Sequence, residues 1–116
     1  MSNIYSNIML DLRKVDGVKM LALAGRDGFL IGENPSDETE TMTRLFATML
    51  NTTENVSSKL NKVSTDRLIV DFDGGKIIMM KAGQKAFISV MAAQGASVDP
   101  IMAELEKAAG KIKKIL

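Results

Sequence analysis

A chain of 116 residues is long enough to enclose one hydrophobic core and short of the length at which chains usually divide, so a single domain over residues 1–116 is expected. Its 15 basic and 14 acidic residues leave a net charge of +1, which excludes a global field for nucleic acid or an anionic membrane, and 46% hydrophobic with 25% charged residues excludes disorder and fibrous repeats. Cysteine and histidine are both absent, which excludes disulfides, thiolate chemistry and imidazole base catalysis. The N-terminal MSNIYSN lacks a basic region followed by an apolar core, and no apolar run approaches the roughly 20 residues of a membrane span. A cytoplasmic protein with no membrane insertion is expected.

Ile4, Tyr5, Ile8, Met9, Leu12 and Val15 recur at helical spacing on one broad face, and Gly17 supplies the stop after Asp16, which predicts a first amphipathic helix. Residues 18–24 read as a strand in which Met20 and Ala22 on one side and Leu21 and Leu23 on the other are all apolar, so burial on both faces is expected. Gly25-Arg26-Asp27-Gly28 has the chemistry of a tight turn, and a second strand is expected from Phe29 to about Glu33. Asp37, with Glu40 three residues later, predicts the capped start of a long helix. Its apolar stripe is Met42, Leu45, Phe46, Met49, Leu50, Val56 and Leu60, with Thr53 in the same arc and Arg44, Asn51, Asn55, Ser58 and Lys62 opposite.

Three further strands over 67–73, 76–82 and 85–92, joined by Asp73-Gly74-Gly75 and Gly83-Gln84, form a predicted meander. The first sets Leu68, Val70 and Phe72 against Arg67, Asp71 and Asp73, as suits an edge strand, whereas the last is apolar on nearly both faces and belongs at the centre. Asp99 as N-cap and Pro100 at the first helical position open a final helix with the face Ile101, Leu105, Ala108, Ala109, Ile112, Ile115 and Leu116. Strands apolar on both faces require cover on both, and three amphipathic helices are available. The expected fold is therefore an α/β (α+β) three-layer sandwich, in the order α-β-β-α-β-β-β-α.

Chemistry is harder to place. Asp71 and Asp73 share one face of a strand, but Gly74 follows at once and both read as solvated turn residues. Gly25-x-x-Gly28 lies between strands instead of opening a helix, so it is a turn and not a phosphate cradle or an RNA clamp. Lys107, Lys111, Lys113 and Lys114 complement the dipole of the last helix and keep its outer face soluble. No residue set suggests a catalytic, cofactor or metal site. Met42 and Met49, on the wide stripe of the central helix, are candidates for a contact between subunits.

The order of elements and the local text together resemble the roadblock/dynein light chain family across about residues 4–116. The resemblance is carried by VKMLALAGRDGFLIGE, by TETMTRLFATMLNTTENVSSKL, by RLIVDFDGGKIIMMKAG followed by KAFISVMAA, and by DPIMAELEKAAGKI. It implies a five-stranded antiparallel sheet with the first and last helices on one face and the long middle helix on the other. It also implies no catalytic activity of its own, and homodimers or heterodimers that regulate or scaffold nucleotide-hydrolysing partners such as small Ras-like GTPases and dynein motors. In dimers of the family the middle helices pack together and the edge strands after them join the two sheets. On matching positions this implies an interface of Met42, Leu45, Phe46, Met49 and Thr53 with Leu68, Ile69, Val70 and Phe72. Arg26 and Arg44 are the arginines that would contact a GTPase or another NTPase partner. A dimerising structural adaptor with no nucleotide link is the alternative, and a small-ligand sensor the third reading.

Overall fold

The computed structural model describes residues 4–32, 36–61 and 65–116. Its elements are α1 (Ile4–Arg13), β1 (Val18–Gly25), α2 (Asp37–Asn61), β2 (Arg67–Phe72), β3 (Gly75–Ala82), β4 (Ala86–Ala93) and α3 (Val98–Ile115). The four strands form one antiparallel sheet in the order β1-β4-β3-β2. The hairpin connections place β2 beside β3 and β3 beside β4, and β1 closes against β4 through pairs such as Leu21 with Val90 and Leu23 with Ile88. Apolar β4 is thus internal, and the charged β2 is an edge.

Among the described residues the sheet has four strands, not the expected five, because residues 29–32 do not form a strand. After the turn, Phe29 O accepts from Gly25 N at 2.9 Å and Ile31 N donates to Leu23 O at 2.9 Å, which leaves one isolated bridge between Ala24 and Leu30. Gly32 then takes a φ of 90°, a left-handed value that ends the extended run. Glu33, the last residue of the expected strand, lies outside the described residues, as does Lys62, which the sequence assigns to the polar side of the long helix.

Two helix starts also differ from expectation. The side chain that caps α2 is Ser36, whose Oγ accepts from Thr39 N at 3.3 Å, so Asp37 is the first helical residue and favours the dipole from there. In α3 the N-cap is Ser97, and Pro100 falls at the third helical position. Proline is tolerated there because the first four helical N–H groups have no acceptor within the helix.

Alternation divides the sheet between two cores. Leu21, Leu23, Ile78, Met80, Ile88 and Val90 face α1 and α3, where they meet Met9, Leu12, Ile101, Leu105 and Ile112. The other face carries Ala24, Ile77, Met79 and Phe87 and is covered by Phe46, Ala47 and Leu50 of α2. This second core is smaller and richer in methionine, with Met20, Met42, Met49 and Met91 packed around it. Their unbranched thioethers fill an irregular gap with little strain.

Ser89 breaks the apolar pattern of β4. It is paired with Ala22 on one side and Met79 on the other, is fully buried, and its Oγ has no hydrogen-bond partner among the described residues. A buried hydroxyl that forgoes water costs about 1–3 kcal/mol. Ser89→Ala is therefore expected to stabilise the fold by about 1 kcal/mol. Urea unfolding should show a raised midpoint at unchanged slope, whereas a lowered midpoint would mean that the hydroxyl is satisfied in solution.

Candidate functional site

The outer surface of α2 and the adjoining edge strand β2 form the candidate site. Helical geometry turns Thr43, Phe46, Ala47 and Leu50 onto the sheet, with Phe46 only 1% exposed. One flank of the same helix is left over, where Leu45, Val56 and Leu60 stand 55%, 53% and 74% exposed. Met42, Met49 and Thr53 are half-buried between the two rows. The stripe is thus wider than the sheet beneath it can cover.

β2 continues this apolar surface. Its pairing sets Leu68 opposite Met79, Val70 opposite Ile77 and Phe72 opposite Gly75, so these three side chains share the face that α2 covers. Leu68 and Val70 are half-buried, and Phe72 is exposed at the end of the strand. The Phe72 ring lies over Gly75, where an added Cβ would come within 2.8 Å of its Cζ. Ile69 points to the opposite face and is also exposed. Of the nine interface positions expected from the resemblance, the structure therefore brings the half-buried and exposed ones to one side of the molecule, apart from Ile69 on the other face and Phe46 in the core.

The two arginines differ. Arg26 belongs to a polar cluster that joins the turn after β1 to α2: Nε and Nη2 donate to Asn51 Oδ1 at 3.4 and 3.2 Å, and Asn51 Nδ2 donates back to Arg26 O at 3.0 Å. Nη1 reaches Gln84 O at 3.4 Å, and the guanidinium forms an ion pair with Glu54. Lys81 Nζ lies 2.7 Å from the other oxygen, Glu54 Oε1, off the direction of a formed hydrogen bond, so this pairing is chiefly Coulombic. Glu54 is thus a largely buried carboxylate between two cations. Arg44, by contrast, is exposed, with its guanidinium 5.6 Å from the centroid of the exposed Phe29 ring in a cation–π contact. The turn approaches α2 closely here because Gly28, at a φ of 88°, has no Cβ to meet Arg44 Cα, which would lie 3.2 Å away.

Asn51, Glu54 and Lys81 were not legible as a group in the sequence. Asn51 reads as the polar side of α2, and only the alternation of β3 hints at the rest, by placing a lysine on the same face as Ile77 and Met79. Asp71 and Asp73 are exposed, and Asp71 pairs with its cross-strand neighbour Lys76 at 3.4 Å, so the two carboxylates form no buried acid/base pair. Among the described residues no group of three or more acidic side chains is placed to hold a metal ion, and no helix is long and apolar enough to cross a membrane.

An antiparallel sheet with two helices on one face and a single long helix on the other, whose outer flank is apolar and exposed, defines a small three-layer α+β domain. The sequence profile of the Roadblock/LC7 domain matches residues 5–92, and the chain belongs to that family. An uncharacterized protein of Methanocaldococcus jannaschii is 24% identical over 113 residues, covering 96% of this chain and 95% of that protein. The solved Roadblock/LC7 domain of Streptomyces avermitilis superposes with a TM-score of 0.86 at 15% identity, covering 98% of each chain. A structure of MglB with a tetrameric arrangement superposes with a TM-score of 0.85 at 14% identity over 96% of this chain and 86% of that one. At such identities these likenesses concern the fold.

Removing Glu54 leaves Arg26 and Lys81 facing each other under α2. Loss of one partner of a fully buried ion pair costs about 3–5 kcal/mol, and the partial exposure of Arg26 lowers the expected cost of Glu54→Ala to about 2 kcal/mol. In a denaturation double-mutant cycle, Arg26→Ala combined with Glu54→Ala should cost less than the sum of the two single changes. Strict additivity would show that the cluster carries no coupling.

Proposed function

We propose that this protein is a noncatalytic dimeric module of the cytoplasm that binds and regulates, or scaffolds, a small Ras-like GTPase or a related NTPase. The observation that supports it most directly is the apolar surface formed by α2 and β2. Leu45, Val56 and Leu60 on the helix run beside an edge strand carrying Leu68, Val70 and Phe72. An edge strand with apolar side chains is a liability for aggregation unless it is paired or covered, and a twofold axis that sets β2 against its copy and α2 against its copy removes both exposures together. The interface then comprises Met42, Leu45, Met49, Thr53 and Val56 with Leu68, Ile69, Val70 and Phe72.

The family to which the chain belongs supports a regulatory role, and the resemblance to roadblock proteins supports a nucleotide-hydrolysing partner. Arg44 is the better placed arginine for that partner, since its guanidinium is exposed beside Phe29, whereas Arg26 would have to leave Asn51 and Glu54. Any effect on hydrolysis comes through the partner's own catalytic residues or through this arginine. A structural adaptor with no nucleotide link uses the same dimer, and the identity of the captured partner separates the two.

Two measurements test the reading. Sedimentation at micromolar concentration should give a species of about twice the 12.6 kDa chain mass. Val56→Glu or Phe72→Glu should weaken that association by about 100-fold or more while circular dichroism stays unchanged. A monomeric wild type would overturn the dimer. In affinity purification from native lysate, the wild type should enrich a nucleotide-binding protein, with Arg44→Ala retaining about tenfold less. Consistent enrichment of proteins with no nucleotide site would favour the adaptor.

A further inference from the structure

Given the twofold dimer of α2 and β2, on which this rests, we infer that β2 meets a second copy of the chain in one fixed register. It is centred on Ile69, and Arg67 of each copy pairs with Asp71 of the other. The backbone limits the choice first. Lys81 N donates to Asp66 O at 3.0 Å, and the hairpin pairs Leu68 with Met79, Val70 with Ile77 and Phe72 with Gly75. Bonded and non-bonded pairs alternate along an antiparallel ladder, so the even-numbered residues of β2 direct their N–H and C=O groups at β3. Those of Arg67, Ile69 and Asp71 point away from it, at the open edge of the sheet. A second β2 strand must bond to these three, odd-numbered residue to odd-numbered residue.

Side chains then select among the registers that remain. With α2 packed on its copy, the axis stands perpendicular to the sheet, and residues opposite each other share a face. Arg67, Ile69 and Asp71 lie on the face away from α2, and all three are exposed. Centring on Ile69 sets Ile69 against itself and Arg67 against Asp71 at both ends, while Leu68 meets Val70 on the face of α2. Every outward residue of β2 then has a matched partner. Centring on Leu68 sets Arg67 against an isoleucine; centring on Val70 sets Ile69 against a carboxylate, and Arg67 reaches only Asp73, beyond the strand. Centring on Arg67 or Asp71 opposes like charges, which is destabilising. A one-sided strand edge is thus complementary to its own copy in a single register.

Within one chain neither charge is firmly held. Arg67 Nη1 lies 3.8 Å from Glu106 Oε1, and Lys76 Nζ lies 3.4 Å from Asp71 Oδ1, with Arg67, Glu106 and Asp71 all more than half exposed. Arg67 and Asp71 stand four residues apart on an extended strand, about 13 Å, so they do not pair with each other in one chain. Across the axis they are direct neighbours. Ile69, which stands apart from the other interface positions on the far face, gains a symmetric apolar partner there.

Two experiments on the full chain read the register. It has no cysteine, so a single introduced one reports directly. Ile69→Cys should crosslink into a covalent dimer on mild oxidation, since opposite Cα atoms of a hydrogen-bonded pair lie about 5.5 Å apart. Val70→Cys meets its copy only on a diagonal of about 7–8 Å and should crosslink about tenfold more slowly. In sedimentation, Arg67→Asp and Asp71→Arg should each associate about tenfold more weakly than the wild type. An equimolar mixture of the two should recover the wild-type association, because unlike chains restore both ion pairs. Faster crosslinking of Val70→Cys, or a mixture no tighter than either variant alone, would overturn the register while a dimeric wild type stands. A monomeric wild type would overturn register and dimer alike.

Discussion

β3 and β4 are apolar on both faces, and everything else in the molecule answers to that. Ile78, Met80, Ile88 and Val90 look one way while Ile77, Met79 and Phe87 look the other, and an antiparallel sheet with two such faces leaves the chain no solvated side. Two helices, α1 and α3, cover the first face with a continuous core. One helix remains for the second. α2 is 25 residues long and meets the sheet through Thr43, Phe46, Ala47 and Leu50, while Leu45, Val56 and Leu60 carry the apolar stripe round to a flank that faces solvent. The asymmetry between two covering helices and one is the physical origin of the exposed surface on which the functional reading rests.

The position of α2 over its face depends on more than apolar contact. The core beneath it is small and methionine-rich, a kind of packing that adapts more readily than it specifies. The cluster of Arg26, Asn51, Glu54 and Lys81 adds directional contacts at one end of that core. Its reciprocal hydrogen bonds between Arg26 and Asn51 fix where the turn after β1 meets the helix, and Glu54 draws β3 to the same point. Gly28 permits that approach by lacking a side chain. A largely buried carboxylate between two cations adds little net stability over an apolar contact, whereas removing one partner of the set is costly.

Much of this was legible in the sequence, and the parts that were not have a common cause. The long helix, the meander and the edge position of β2 follow from periodicity and turn chemistry, which act over a few residues. The fifth strand did not form because apolar residues after a good hairpin turn are compatible with a strand without requiring one, and the left-handed Gly32 ended the run after a single bridge. Phe46 and Leu45 are neighbours on one stripe and could not be told apart until the helix met the sheet, which buries the first and exposes the second. The polar cluster was hidden for the same reason: Arg26, Asn51, Glu54 and Lys81 come from three separate elements, and their meeting is a property of the tertiary fold.

The central claim is that the β2 edge and the α2 flank are closed by a second copy of the chain. Hydrogen exchange of the β2 amides that point away from β3, followed as the protein is diluted, tests it most directly. Pairing across a twofold axis predicts that these amides are protected at high concentration and lose protection together on dilution, while the amides of β4 keep theirs. Rapid exchange of the outward β2 amides at every concentration would contradict the account.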